Sequence, residues 1–200
     1  MIVVYSVLWS CLQAGLAHAQ YIAVGGCPNV TVKHPFNLVE YMGTWYQKET
    51  YGTELFQGTG KCVTAMYSLN PNTGVVDVFN SQEPVSSSST ARSINGTAVL
   101  EDSNKMEGKL LVTFPIPIIQ RITSKYWVLD TDYSNWAVVW SCFSLGSLAH
   151  SESAWILVRH RDGAKEDNDN RDLEIDSVLK REGIPRSRFK KTDQENCLMQ

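Results

Sequence analysis

An all-β domain finished by one helix is the fold class this sequence predicts, and three observations predict it. Short runs of β-branched and aromatic residues recur along the middle of the chain, eight in all, separated by turn-forming clusters. One run with helical spacing follows them. The chain has 200 residues, 43% hydrophobic and 20% charged, which suits a single domain with a sizeable core and excludes a disordered chain. Strands at near-regular spacing fit an up-and-down barrel or a sandwich. Strands followed by a lone helix exclude a doubly wound α/β plan.

The first run, residues 45–51, combines aromatic residues at Trp45, Tyr46 and Tyr51 with polar ones between. Residues 63–69 and 75–80 flank Asn70-Pro71-Asn72-Thr73-Gly74, a cluster whose members favour a tight turn. Residues 93–100, 109–114, 126–131, 136–143 and 154–161 complete the set. In the helix, Asp169 or Asn170 can cap the first turn, and Ile175, Val178 and Leu179 form the apolar stripe. Gly183 and Pro185 end it, and the charged residues 162–172 read as a solvated linker leading in.

The two ends of the sequence speak about compartment. Residues 1–16 are uncharged and apolar, and Ala17-His18-Ala19 is a small-x-small site, so residues 1–19 read as a cleaved secretory leader and 20–200 as the domain. The leader takes Cys11 with it and leaves Cys27, Cys62, Cys142 and Cys197, an even set suited to an oxidising route. Their wide spacing argues against zinc and leaves three pairings open. Asn29-Val30-Thr31 and Asn95-Gly96-Thr97 are glycosylation sequons. No second stretch is long enough to span a bilayer, so a released, extracellular product is expected. A net charge of −3 gives no footprint for nucleic acid.

No catalytic constellation emerges. The nucleophile-elbow, zinc-protease, phosphate-loop and dinucleotide motifs are all missing. His34, His150 and His160 lie far apart, and Asp130 with Asp132 reads as turn chemistry rather than a cation site. The expectation is a protein that is not an enzyme and carries no metal or cofactor. Aromatic residues on strands are what remains, Trp45, Trp127, Trp136, Trp140 and Trp155 with Tyr41, Tyr46, Tyr67 and Phe114. They either fill a core or line an apolar pocket with a few polar anchors.

Three segments carry a family resemblance. Residues 37–46 hold Gly43-Thr44-Trp45, residues 131–133 are Thr131-Asp132-Tyr133, and Trp155-Ile156-Leu157-Val158 leads to Arg159. In that order they resemble the three signatures of the lipocalins. Within that family, Gly60-Lys61-Cys62, Ala137-Val138-Val139-Trp140-Ser141-Cys142 and Asp193-Gln194-Glu195-Asn196-Cys197 resemble the apolipoprotein D and insect Lazarillo group. The resemblance implies an eight-stranded antiparallel up-and-down β-barrel with one C-terminal α-helix packed outside. It also implies the pairs Cys27–Cys142 and Cys62–Cys197, which pin an N-terminal arm and a C-terminal tail to the barrel. In such a meander Gly43, Trp45, Thr131, Asp132, Tyr133 and Arg159 fall at one end, where the guanidinium can lie over the indole and plug the barrel. Those six residues read as structural.

The loops 52–61, 83–90, 115–124 and 144–151 then surround the open end. The resemblance places Tyr41, Tyr67, Asn80 and Trp155 around a pocket. Strand phase adds Leu157, on the face of Trp155, and Phe114 is the further aromatic candidate. Ile116, Ile118 and Ile119 form an apolar lip that either folds over the core or touches a membrane or lipoprotein surface. The expected function is binding and transport of one small hydrophobic ligand, a fatty acid, other lipid, retinoid or sterol-like molecule, by a monomer. Protection of lipid under oxidative stress is part of what the resemblance implies. A tetrapyrrole or carotenoid carrier is the alternative within the family, and a surface-interaction protein acting through the lip is the alternative outside it.

Overall fold

The computed structural model describes residues 21–54, 56–85, 91–116, 120–161 and 165–198. The expected leader, residues 1–19, and Ile118 and Ile119 of the lip lie outside them, as does the side chain of Ile116. The elements are β1 (Tyr21–Val24), α1 (Leu38–Tyr41), β2 (Gly43–Tyr51), β3 (Lys61–Leu69), β4 (Val76–Glu83), β5 (Arg92–Leu100), β6 (Lys109–Ile116), β7 (Gln120–Thr131), β8 (Trp136–Leu145), β9 (Ala149–Val158), α2 (Lys165–Arg181), a 3-10 turn (Arg186–Arg188) and β10 (Lys190–Lys191). Strands β2 to β9 pair antiparallel in chain order and β9 pairs back with β2. The result is the closed eight-stranded up-and-down barrel.

The other two strands patch the wall. The pairing of β2 with β9 ends at Tyr51–Ala154, and β1 takes over against residues 149–152. Likewise β2 and β3 are paired only over Gly43–Tyr46 and Tyr67–Thr64, after which β10 lies against Thr50 and Glu49. The disulfides Cys27–Cys142 and Cys62–Cys197 hold these two end segments in place. Each closes a loop of more than 100 residues, worth about 4–5 kcal/mol in the chain-entropy picture.

Two cores follow from strand alternation. Val76 and Val78, Leu110 and Val112, Ala137 and Val139, and Leu157 point into the barrel with Trp45 and Tyr67. The opposite faces of β8 and β9, with Trp136, Val138, Trp140 and Ile156, meet Ile175, Val178 and Leu179 of α2 outside the barrel. Burial of each of those three helical side chains contributes about 2 kcal/mol. Gly183, at a φ of +68°, ends the helix, and the Ile184 N–H donates back to the Leu179 carbonyl at 2.8 Å.

Several boundaries differ from the sequence reading. Residues 115–116 and 120–124, expected in an open-end loop, are strand, with Pro115 opposite Arg121. The ladder from β5 stops at Thr113, so Pro115 lies where β6 has become an edge and a missing N–H is tolerated. The loop expected over 144–151 is a turn of residues 146–148, because β1 gives the start of β9 a partner. At its other end β9 stops at Val158 rather than 161. The helix starts at Lys165, so Asp169 and Asn170 lie inside it and most of the expected linker is helical.

Candidate functional site

The closed end is built around one guanidinium. Arg159 lies 3.7 Å over the Trp45 ring and donates to the carbonyls of Tyr133 at 2.9 Å, Thr44 at 2.9 Å and Glu40 at 3.0 Å. Gly43 sits beneath it at a φ of +95°, where a Cβ would come within 3.3 Å of Arg159 Nη1, so backbone angle and space both favour glycine. The Asp132 carboxylate accepts from the N–H groups of Asn135 at 2.8 Å and Trp136 at 2.9 Å, and the Thr131 hydroxyl donates to the Trp136 carbonyl at 2.6 Å. Tyr133 accepts from the Asn37 N–H at 3.0 Å, tying this turn to the cap of α1. Asn37 in turn accepts from the Val39 and Glu40 N–H groups as the N-cap of α1, while its side-chain amide donates to the Glu40 carboxylate at 2.7 Å. These contacts seal the end and leave none of the six residues lining free lumen.

Immediately inside lie three tyrosines. The Tyr126 hydroxyl is 2.8 Å from that of Tyr41 and 2.9 Å from that of Tyr67, and the Tyr41 and Tyr67 rings stack at 5.8 Å. Burial pushes the Tyr67 phenol up to about 12, and it raises Tyr41 and Tyr126 well above the ordinary value, so all three are neutral. Three hydroxyl hydrogens serve two bonds, which leaves one donor over. Beside it, among Tyr41, Met42, Tyr67, Val76, Ala98, Leu110, Val112 and Tyr126, is a void of about 10 Å³, the space of a single water. The tyrosines are therefore a floor, with room among them for nothing larger than a water.

Toward the open end the predicted residues separate by height. Leu157 is buried in the lumen near Trp45, and Trp155, two residues nearer the mouth, stacks on Tyr126 with centroids 6.3 Å apart. Phe114 stands on the lumen face of β6 against Gly96, where a Cβ would meet the ring at 2.5 Å. Asn80 faces inward on β4 beyond Val76 and Val78, and its Oδ1 is buried without a partner, as is Oε1 of Gln82 further up the strand. Tyr41, Tyr67 and Trp155 thus come together through Tyr126, while Asn80 and Phe114 belong to the upper wall.

Tyr126, Gln57 and Gln82 were missed in the sequence reading. Tyr126 was legible from its alternation with Val128, since the strand phase that nominates Leu157 nominates it equally. Gln57 lies on the loop after β2 and had no periodic signal. Among the described residues the one grouping of metal-type ligand atoms, Cys62, Glu83 and Cys197, is a disulfide beside a carboxylate that accepts from the Leu198 N–H at 2.7 Å. No helix among the described residues is long and apolar enough to cross a membrane. Asn29 and Asn95 are both exposed.

A β-barrel of eight antiparallel strands, closed at one end by an arginine over a tryptophan and floored by tyrosines, defines a cup-shaped binding domain. The chain belongs to the lipocalin family: the model of the lipocalin-like domain matches residues 36–192. It is 34% identical over 175 residues to the Lazarillo protein of Schistocerca americana, covering 84% of this chain and 75% of that one. It is 33% identical over 186 residues to apolipoprotein D of Macaca fascicularis, covering 92% and 90%. The solved structure of insecticyanin from the tobacco hornworm Manduca sexta superposes with a TM-score of 0.74 at 25% identity, over 89% of this chain and 91% of that one.

Proposed function

We propose that this lipocalin is a secreted, non-enzymatic carrier that holds one small hydrophobic ligand in the barrel above the tyrosine floor. One observation carries the reading. The lumen is apolar on most sides, yet Asn80 Oδ1 and Gln82 Oε1 on the inward face of β4 are buried acceptors with no donor. A buried acceptor left unpaired costs about 1–3 kcal/mol, so a ligand that brings a hydroxyl or amine hydrogen gains at this wall. Gln82 Nε2 is committed to the Gln57 carbonyl, so at Gln82 Oε1 an alcohol fits better than an ionised carboxylate, whereas the Asn80 amide, turned over, presents donors to a carboxylate. The leader, the two disulfides and the two exposed sequons support passage through the secretory route.

The test is a titration of delipidated protein with retinol, retinoic acid, arachidonate, cholesterol and biliverdin, followed by tryptophan fluorescence. Saturable one-to-one quenching that weakens in Trp155→Ala, with the fold kept, is the expected result, with retinol tighter than retinoic acid. A new absorbance band with biliverdin and no quenching by the others moves the protein to the pigment carriers. Silence across the panel removes the carrier reading.

Contact with a membrane or lipoprotein surface has its own support, on strands other than those of the expected lip. Direct pairing places Phe143, Ser151 and Ile22 in one row across β8, β9 and β1, and Leu145, Ala149 and Val24 in the next, so all six share the face that continues the lumen. Phe143 is 67% exposed, Val24 94% and the turn residue Leu148 80%. Exposed apolar surface of this extent beside the mouth marks an interaction site. Co-flotation with phosphatidylcholine vesicles that disappears in Phe143→Ser/Leu145→Ser is expected, and equal flotation of the variant rejects the assignment.

A further inference from the structure

The loop between β2 and β3 reaches into the barrel wall through one side chain. Gly52, at a φ of +68°, lets the chain pass so close to β9 that a Cβ would lie 2.2 Å from the Glu152 carbonyl. A helical turn follows, with the Gln57 N–H donating to the Thr53 carbonyl at 2.9 Å and the Gly58 N–H to that of Glu54 at 3.1 Å. That turn aims Gln57 at the lumen. Its Oε1 accepts from the Trp155 indole at 3.2 Å, its Nε2 donates to Gln47 Oε1 at 2.8 Å, and its carbonyl accepts from Gln82 Nε2 at 3.0 Å. Gln47 Nε2 then donates to the Thr192 hydroxyl at 2.7 Å.

The direction of this relay is fixed by its first member. An indole N–H can only donate, so the Gln57 atom facing Trp155 must be oxygen. Its nitrogen must then face Gln47 Oε1, and the nitrogen of Gln47 must face Thr192. Thr192 is not a lumen residue. It belongs to the tail that fills the gap where β2 and β3 part. There the Thr192 N–H donates to the Lys48 carbonyl at 2.9 Å, the Cys62 N–H donates to that of Asp193 at 2.7 Å, and the Gln194 amide donates to the carbonyls of Gln47 and Val63, each at 2.9 Å. The Cys62–Cys197 disulfide fastens that tail.

We infer that Gln57 is a positioning residue for the ligand site, and that Thr192, in the C-terminal tail, holds it in place from the barrel wall. The inference rests on the carrier reading above and adds to it that the orientation of Trp155, and so the fit of the ligand, is set from the barrel wall through this hydrogen-bond relay. It assigns a binding role to the tail and to a polar loop residue, where the fold alone would ask only that they close the wall.

Thr192→Val is the deciding variant, since it keeps the shape and removes the acceptor. The indole N–H resonance of Trp155, assigned by its loss in Trp155→Phe, is expected to shift in Gln57→Leu and Thr192→Val and to return in Thr192→Ser. Retinol affinity is expected to fall about five- to tenfold in either variant, the effect of one lost hydrogen bond. In the Trp155→Phe background Thr192→Val should have no further effect on affinity. If Gln57→Leu does not fold, Thr192→Val alone decides. An unmoved indole resonance in Thr192→Val, or an equal loss of affinity in both backgrounds, overturns the inference while leaving the carrier reading intact. Failure of the unmodified protein to bind any of the probes overturns both.

Discussion

Replacing Tyr126 with phenylalanine removes one oxygen and strands two others. In the native floor that hydroxyl bonds Tyr41 at 2.8 Å and Tyr67 at 2.9 Å. A buried hydrogen bond contributes about 1 kcal/mol net, and a hydroxyl left unsatisfied costs about 1–3 kcal/mol. With both neighbours buried, Tyr126→Phe is expected to lower the unfolding free energy by about 2–4 kcal/mol. Tyr41→Phe or Tyr67→Phe removes one bond and leaves Tyr126 the other, so each should cost about 1 kcal/mol. The triple substitution removes the whole polar set, and exchanging all partners for apolar groups is nearly neutral. It should therefore be more stable than Tyr126→Phe alone. Urea unfolding read by tryptophan fluorescence, at constant m-value, measures all four variants. A loss under about 0.5 kcal/mol in Tyr126→Phe, or a triple variant weaker than the single, would show that the floor is held by packing and not by its hydroxyls.

Two further outcomes follow from the same geometry. Arg159→Met deletes three hydrogen bonds to carbonyls and a cation–π contact, so stability should drop by about 3–5 kcal/mol while retinol affinity is kept; a folded variant with unchanged stability contradicts the plug. At alkaline pH, the Tyr67 phenol ionises at about 12 in the folded chain and near 10 when unfolded, so its contribution is complete below pH 10 and is lost as the pH rises through 12. That difference is worth about 2–3 kcal/mol, and phenolate absorbance should show the floor tyrosines ionising only as the barrel opens. Their titration near pH 10 in an intact barrel contradicts their burial.

What was legible in the sequence divides by the range of the interactions involved. Strand 63–69 announces itself because every second residue is apolar, strand 136–143 because it is an almost unbroken apolar run, and the helix stripe at Ile175, Val178 and Leu179 is equally local. The plug was readable through its signatures, and the geometry supplies the reason: Gly43 must leave room for Arg159, and Asp132 must cap its own turn. Loop lengths were misjudged where a strand's last residues depend on a distant partner. Leu145 and Ala149 look like loop residues until β1, more than a hundred positions away, lies alongside. Residues 38–41 form a four-residue helix, with Asn37 as its cap, that strand periodicity does not reveal. Gln57, Gln82 and Thr192 are polar residues without period, and their meaning exists only once a loop, β4 and the tail are folded against one another.

The barrel wall has an order of manufacture. Residues 190–197 bridge β2 and β3, elements near the start of the domain, and they are synthesised after every strand of the barrel. A nascent chain that has emerged only as far as α2 has the eight strands but a slit beside Gln47, with edge groups on both sides unpaired. Strand closure across more than a hundred residues is intrinsically slow. During that interval the slit edges of β2 and β3 are the surface a chaperone or another chain would find, and they are hidden when the tail is seated and Cys62 meets Cys197.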